Sequence, residues 1–114
     1  MKNTCTKPPD CCVIIEMEPG ASLGYRRAVL LNEIEALESI TKAARTSRIP
    51  LHHARELALR MNREFSAPLV NFADNRRDCD RVYLSRKGKE VAIAYWRKFE
   101  PVWRDIQEER SRHY

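Results

Sequence analysis

The residues best able to do chemistry lie in one basic segment near the middle of the chain. From Lys42 to Arg63 there are six positive side chains and one carboxylate, Glu56. The local excess, six minus one, equals the net charge of the whole chain, which is +5. Guanidinium and ammonium groups concentrated in this way are suited to offset phosphate charge. The charge therefore favours a polyanionic partner, nucleic acid before an anionic membrane, with an ordinary solvated basic surface as the alternative.

Other constellations of reactive residues do not occur in a recognisable context. There is no serine, histidine and aspartate arrangement, glycine-rich phosphate loop or carboxylate pair, so we expect neither an enzyme nor a cofactor. The spacings of cysteine and histidine match no zinc site, and no two cysteines form a CxxC pair. We expect ordinary free thiols, with a redox or metal role as the alternative, at Cys5, Cys11, Cys12 and Cys79.

Length and hydropathy predict one small cytoplasmic domain. At 114 residues the chain has the usual size of a single domain. No apolar run approaches the roughly 20 residues of a membrane span, so no membrane partner is expected. Residues 1–11 lack the apolar core of a signal peptide and contain two prolines, which predicts a flexible arm ahead of a domain over 12–114.

The first part of that domain predicts a strand followed by an amphipathic helix. Residues 12–18 are rich in β-branched side chains and alternate in polarity, which is strand spacing. The Pro19-Gly20 pair ends the strand with a turn. Apolar side chains then recur at helical spacing over 25–38, and Ser22 is the expected N-cap.

Two further helices follow, separated by a short break. Ser39 is expected to cap the second helix, whose apolar face consists mainly of small side chains that let another helix approach closely. The pattern breaks near Arg48, and Pro50 suits the first turn of a third helix, where its missing N–H is not needed. The inward stripe predicted for this helix is Ala54, Leu57, Ala58, Met61 and Phe65.

The remaining sequence predicts a hairpin and one long helix. Residues 67–73 and 80–85 are strand-like runs on either side of a polar tip. The last helix spans about 86–111, and Pro101 predicts a kink or a break in it. The spacing between its apolar residues alternates between three and four positions, as in the seam of a coiled coil. This spacing favours a homodimer contact over simple coverage of the monomer core. The seam residues are Tyr95, Trp96, Phe99, Val102, Trp103 and Ile106.

This order of elements predicts a winged helix-turn-helix, a mainly α fold with a small β component. Two helices joined by a tight turn let one brace across the DNA backbone while the other enters the major groove. Protein–protein modules also use helix pairs of this kind. A dimerising or partner-binding module with nonspecific or no DNA binding is therefore the alternative.

Four short motifs occur in a fixed order along these elements. They are Ser39-Ile40-Thr41-Lys42-Ala43-Ala44, Met61-Asn62, Pro68-Leu69-Val70 and Leu84-Ser85-Arg86-Lys87-Gly88. In this order they resemble the N-terminal DNA-binding domain of the molybdate-responsive ModE regulators, whose helix-turn-helix is similar to that of LysR-type regulators. The resemblance covers roughly residues 12–107.

The resemblance implies a homodimeric transcription regulator on an inverted-repeat operator. In the family the last helix, the first helix and the N-terminal strand supply the dimer contact. The chain leaves no room for the family's molybdate-binding half, so molybdate binding is not expected. The recognition helix starts with Pro50-Leu51-His52 where the family tends to carry Ser-Tyr-Lys, and residues 74–80 replace a glycine-rich wing tip. The operator sequence is therefore not carried over.

The candidate DNA contacts follow from these placements. A carboxylate on the recognition helix can accept from cytosine N4, and a leucine can touch a thymine methyl. Histidines can make binding mildly pH-dependent or simply be polar surface groups. The wing arginines can grip phosphates or a minor groove, although three aspartates beside them oppose this. The set is Thr41, Lys42 and Arg48 for phosphates, Leu51, His52, His53 and Glu56 for base edges, Arg60 and Arg63 for charge, and Arg76 and Arg77 on the wing.

Overall fold

The computed structural model describes residues 13–76 and 78–112, and within them the fold is mainly helical with two small antiparallel hairpins. The predicted arm over 1–11 and Arg77 lie outside the described residues. In chain order the elements are β1 (Ile14–Glu18), β2 (Ala21–Gly24), α1 (Tyr25–Leu37), α2 (Ile40–Ser47), α3 (Leu51–Glu64), β3 (Val70–Phe72), β4 (Val82–Leu84) and α4 (Arg86–Arg112).

The first strand is confirmed, and it pairs with a second strand that the sequence analysis missed. β1 and β2 are antiparallel around a turn in which Gly20 has a φ of 83°, a conformation that glycine adopts without strain. Ser22 lies in β2, so its prediction as the N-cap of α1 is wrong. Gly24 occupies the N-cap position without a side-chain hydrogen bond. The signal for β2 was the alternation of buried Ala21 and Leu23 around exposed Ser22.

The three predicted helices before the second hairpin are confirmed and share one core. The small apolar face of α2 packs against α1 and α3, with Ile40, Ala43 and Ala44 almost fully buried. The predicted inward stripe of α3 is buried along its whole length. These helices consequently turn their charged side chains outward.

The second hairpin is fastened to the C-terminal end of α3 by Asn62. Its side-chain Oδ1 accepts from the N–H groups of Leu69 and Val70 at 2.8 and 3.0 Å. Its Nδ2 donates to the Val70 carbonyl at 2.9 Å. Three hydrogen bonds made by this partly buried amide fix where β3 begins.

The start of α4 packs against the segment that leads into β3. Ser85 Oγ accepts from the Gly88 N–H at 2.9 Å and donates to the Pro68 carbonyl at 2.6 Å. A β-carbon on Gly88 would lie 2.2 Å from the Leu69 carbonyl oxygen, so only glycine permits this approach. Three motifs quoted for the family resemblance therefore meet in one place, which we call the latch: Asn62, Pro68-Leu69-Val70, Ser85 and Gly88.

Two ion pairs connect the N-terminal elements to the rest. Arg27 on α1 contacts Glu64 at the end of α3, with an Nη1–Oε1 distance of 2.7 Å. Glu18 on β1 contacts Lys87 Nζ at 2.7 Å and accepts from the Ser66 N–H at 2.7 Å. The hydrogen bonds from Lys87 and Ser66 lower the pKa of Glu18 against a smaller opposing effect of desolvation.

The last helix differs from its prediction in two respects. It continues through Pro101, so the predicted break does not occur. Its seam is also mostly internal, because Tyr95, Phe99 and Trp103 are buried within a single chain. Their rings form one stacked series, and the Tyr95 hydroxyl donates to the Val13 carbonyl at 2.9 Å.

The monomer-core alternative therefore accounts for those three seam residues. Trp96 and Ile106 pack partly against the core, and Val102 is 42% exposed. No helix among the described residues combines the length and apolarity needed to cross a membrane.

Candidate nucleic-acid interface

The turn between α2 and α3 is a fixed element rather than a loose connection. Arg48 ends α2 in the left-handed conformation, with a φ of 60°, and its N–H donates to the Arg45 carbonyl at 3.1 Å. The next N–H, that of Ile49, donates to the Ala44 carbonyl at 2.9 Å, and the Ile49 side chain is buried. The exposed Arg48 side chain thus projects from a well-defined backbone.

The N-terminus of α2 is closed by Asp80, which follows the tip of the second hairpin. Its Oδ2 accepts from Ser39 Oγ at 2.6 Å and its Oδ1 accepts from the Thr41 N–H at 2.9 Å. The Ser39 hydroxyl, followed by Thr41, lowers the pKa of Asp80, opposed by partial burial. As predicted, Ser39 is the N-cap, because its Oγ also accepts from the Lys42 N–H at 3.1 Å.

This cap also bears on the predicted phosphate contact at Thr41. The Thr41 N–H is bonded to the Asp80 carboxylate, and a phosphate contact by Thr41 stays a prediction. The carboxylate also places a negative charge where a phosphate would have to approach. Lys42, one residue further on, remains exposed.

The start of α3 presents a mixed polar and apolar surface. Leu51 is 37% exposed and His52 is exposed, whereas His53 is partly buried. Glu56 lies one turn later, with its carboxylate 3.6 Å from Arg60 Nη2 and 3.8 Å from His53 Nδ1. Exposed contacts of this kind stabilise a helix by only a few tenths of a kcal/mol, so a base edge can compete for Glu56.

Arg55 has a structural role that the sequence analysis did not assign. Its Nη1 donates to the Cys79 carbonyl at 2.8 Å, which ties the first half of α3 to the loop that precedes β4. Its positive charge also lowers the pKa of Asp80 as a lesser cause. No sequence signal distinguishes this arginine from its neighbours, because the contact depends on a loop 24 residues away.

Four of the six basic side chains of this segment are exposed and have no ion-pair partner among the described residues. Arg60 is paired with Glu56 and Arg55 with the hairpin loop. The others form no ion pair with any residue in the described ranges 13–76 and 78–112. They are Lys42, Arg45, Arg48 and Arg63, and we call them the outward basic set.

The tip of the second hairpin is nearly balanced in charge. The Arg76 side chain is 75% exposed, but its Nε lies 3.6 Å from Asp74 Oδ2 and 3.9 Å from Asp78 Oδ1. The Arg76 N–H also donates to Asp74 Oδ1 at 2.9 Å, which lowers the pKa of that carboxyl. Of the two predicted wing contacts, Arg76 is therefore opposed by its neighbours, and Arg77 lies outside the described residues.

Metal-ligating groups do not converge in the part of the chain that the structure describes. No group of three or more histidine, cysteine or acidic side chains is close enough there to hold an ion. The Cys79 thiol is buried and donates to the Arg81 carbonyl at 3.4 Å. The other three cysteines lie outside the described residues.

A comparison with protein-family models found none that matches the chain, and a comparison with curated proteins found no significant match. The resemblance drawn from the four motifs therefore stays a prediction. What the interface can do must be argued from its own residues.

Proposed function

We propose that the chain is a transcription regulator that binds double-stranded DNA as a dimer through a winged helix-turn-helix. In this proposal α3 reads an inverted repeat and α2 braces on the backbone. One observation carries it: the outward basic set extends from Lys42 near the start of α2 to Arg63 in the last turn of α3 and forms no ion pairs within the described residues. Uncompensated arginines and lysines on a short helix pair are the expected footprint of a phosphate-binding surface.

The start of α3 supports sequence reading in addition to charge. Leu51 and His52 project from the first turn of the helix, the part that contacts base edges in helix-turn-helix proteins. An apolar side chain can contact a thymine methyl, and Glu56 can accept from cytosine N4. Discrimination would then come from these side chains, and affinity from the outward basic set.

The dimer contact is proposed on the outer side of α4. Ile93 is 55% exposed and lies with Ala92 and Trp96 in a largely apolar groove of about 510 Å³ between α1 and α4. Ile93 and Trp96 can receive a second copy here without opening the core, which Tyr95, Phe99 and Trp103 cannot do. Val102 is also exposed, but it lies on the opposite side of α4 from Ile93 and therefore outside this contact.

A partner-binding module with only nonspecific DNA affinity is the second candidate. Two observations favour it: Glu56 is already paired on α3, and Arg76 is flanked by two aspartates. Both reduce the number of groups available for reading a sequence. This candidate keeps the fold and the dimer but predicts binding through charge alone.

A selection from random duplex DNA near physiological salt separates the two candidates. The regulator should enrich an inverted repeat with half-sites about one helical turn apart. It should bind that site about a thousandfold more tightly than a scrambled duplex. If nothing is enriched and affinity only falls steeply with salt, the regulator proposal is wrong and the module is favoured.

Charge-matched double variants test where the DNA binds. Lys42→Ala with Arg45→Ala should reduce the slope of log affinity against log salt by about two. The matched control is Lys98→Ala with Arg104→Ala, two exposed positions on α4. Equal effects of the two pairs would show that binding is not centred on α2 and α3.

The dimer proposal has its own test by sedimentation. Ile93→Asp should shift the protein to monomer, because its carboxylate would be desolvated in the apolar contact. Lys98→Asp serves as the control for added negative charge. A dimer that survives the Ile93 substitution would place the contact elsewhere.

A further inference from the structure

A small notch lies between the start of α1 and the end of α2, beside the α2–α3 turn. It encloses about 80 Å³, room for a few waters or for one phosphate group. None of its lining residues is acidic. They are Tyr25, Arg26, Val29, Ser47 and Arg48.

Two guanidinium groups from different helices border this notch. Arg26 comes from the first turn of α1 and Arg48 from the end of α2. Both are exposed, and neither forms an ion pair with another residue that the structure describes. The adjacent Arg27 differs, since it is held by Glu64 at 2.7 Å. Two neighbouring arginines of α1 thus have different roles, one internal and one outward.

An unsatisfied hydroxyl lies in the same place. Ser47 Oγ is buried and has no hydrogen-bond partner among the described residues. A buried hydroxyl without a partner is unfavourable for folding, and such exceptions call for an explanation. The N-terminus of α1 is also open to an anion, because Gly24 provides no side-chain cap and the first turn holds no acidic residue.

We propose that this notch binds one backbone phosphate of the DNA, with Arg26 and Arg48 as a pair of charged donors. The inference rests on the proposed function and deepens it, because it assigns a DNA contact to α1. A phosphate held there would fix the position of α2 and α3 along the duplex. The shared chemistry is a phosphate group, whether in DNA or free in solution.

The first test compares DNA affinity of single variants across salt concentrations by fluorescence anisotropy. Arg26→Ala should lower the salt slope by about 0.9 and weaken binding about tenfold at low salt, as for one lost charge-assisted contact. Arg48→Asn should do the same, since asparagine tolerates the left-handed conformation. Arg27→Ala and Lys98→Ala are the matched controls. If Arg26→Ala behaves like Lys98→Ala, the notch is not a phosphate site.

Ser47→Ala tests the role of the buried hydroxyl independently of the two arginines. Removal of an unsatisfied buried hydroxyl should raise the melting temperature by a few degrees. If the hydroxyl helps to hold the phosphate, DNA affinity should fall in the same variant. Unchanged DNA affinity would contradict its part in the site.

Titration of inorganic phosphate, followed through the backbone amides of Arg26 and Ser47 by NMR, separates failure of this inference from failure of the proposed function. If the protein binds no DNA but phosphate shifts these amides in the wild type and not in Arg26→Ala, the proposed function is wrong and the notch stands with a free phosphate as its ligand. If DNA binds and Arg26→Ala has no effect, only the notch is wrong. If the protein binds no DNA and phosphate shifts none of these amides, both the proposed function and the notch are wrong.

Discussion

The two ends of α3 are used in opposite ways. At its C-terminal end Asn62 makes three hydrogen bonds to the β3 segment, and Glu64 pairs with Arg27. At its N-terminal end Pro50 provides no side-chain cap, and Leu51 and His52 are exposed. Because Arg55 also ties the first half of the helix to the Cys79 carbonyl, α3 can present Leu51 and His52 to a partner without moving. The contrast separates residues that make the fold from residues that are available for function.

The largest loss of stability should come from a substitution at Gly88, in the latch. In Gly88→Ala the new β-carbon would meet the Leu69 backbone oxygen at 2.2 Å, so either α4 or β3 must shift. We expect a loss of about 3 kcal/mol or more in the free energy of unfolding, measured with urea.

Gly24→Ala is the matched control for Gly88→Ala. Its added β-carbon would lie 3.7 Å from Ile14 Cγ1, an ordinary contact, and should cost less than about 1 kcal/mol. Equal losses for the two variants would mean that the close approach of α4 to β3 does not hold the hairpin in place.

Asn62→Ala should be the next most damaging change. It leaves the Leu69 N–H without its Asn62 acceptor and removes the other two hydrogen bonds of this side chain, which predicts a loss of about 2–3 kcal/mol. Asn62→Asp keeps the acceptor but turns a carboxylate oxygen toward the Val70 carbonyl, so it should also destabilise the fold. Denaturant melts of both variants would test this, and a loss below about 1 kcal/mol in Asn62→Ala would contradict the role given to the side-chain oxygen.

Asp80→Asn should weaken the cap of α2 in a pH-dependent way. Because hydrogen bonds from Ser39 and Thr41 lower the pKa of Asp80 in the folded state, its contribution is complete above the ordinary aspartate pKa of about 4. That contribution is lost as the pH falls through the lowered folded value. The stability difference between wild type and variant, about 1 kcal/mol near neutrality, should therefore shrink below about pH 4.

Exposed Asp105→Asn on α4 is the control for Asp80→Asn and should change stability by less than about 0.5 kcal/mol. A pH-independent difference at Asp80 would contradict the role of its charge. The same variant removes a negative charge beside α2, so it should also raise DNA affinity slightly.

The smallest expected change in stability is at Arg48 and Glu38, and these two residues should differ in their effect on DNA binding. Arg48 and Glu38 are the two residues other than glycine with positive φ in the described chain, at 60° and 52°, and each caps a helix. Glycine relieves the left-handed strain, so Arg48→Gly and Glu38→Gly should each stabilise the fold, by up to about 1 kcal/mol. Only Arg48→Gly should weaken DNA binding. Equal DNA affinities for the two variants would remove Arg48 from the interface.

The helices were largely predictable from the sequence, whereas the pairings between distant side chains were not, for a physical reason. Hydrophobic periodicity reports burial, so α3 and its stripe were recovered, and the cap at Ser39 followed from local chemistry. β2 was missed because four residues around a turn carry little periodic signal. At Pro101 the sequence left a kink or a break open, and α4 has no break there.

The motifs behind the family resemblance lie mostly in the latch. Met61-Asn62, Pro68-Leu69-Val70 and Gly88 hold the hairpin against α3 and α4, so they are informative about the fold. The contact residues depend on pairings between distant segments, such as Thr41 with Asp80 and Arg55 with Cys79, which periodicity does not report. Charge counting along the chain likewise does not report that two of the six cations, Arg55 and Arg60, have partners within the fold.

The most direct test of the central claim is to map duplex DNA onto the protein by NMR amide shifts during a titration. The account predicts that the shifts concentrate at Lys42, Arg48, Leu51 and His52, and that they are small at Asn62, Leu69 and Gly88. Shifts centred on α4, or on the latch without the α2–α3 turn, would contradict the assignment of opposite roles to the two ends of α3.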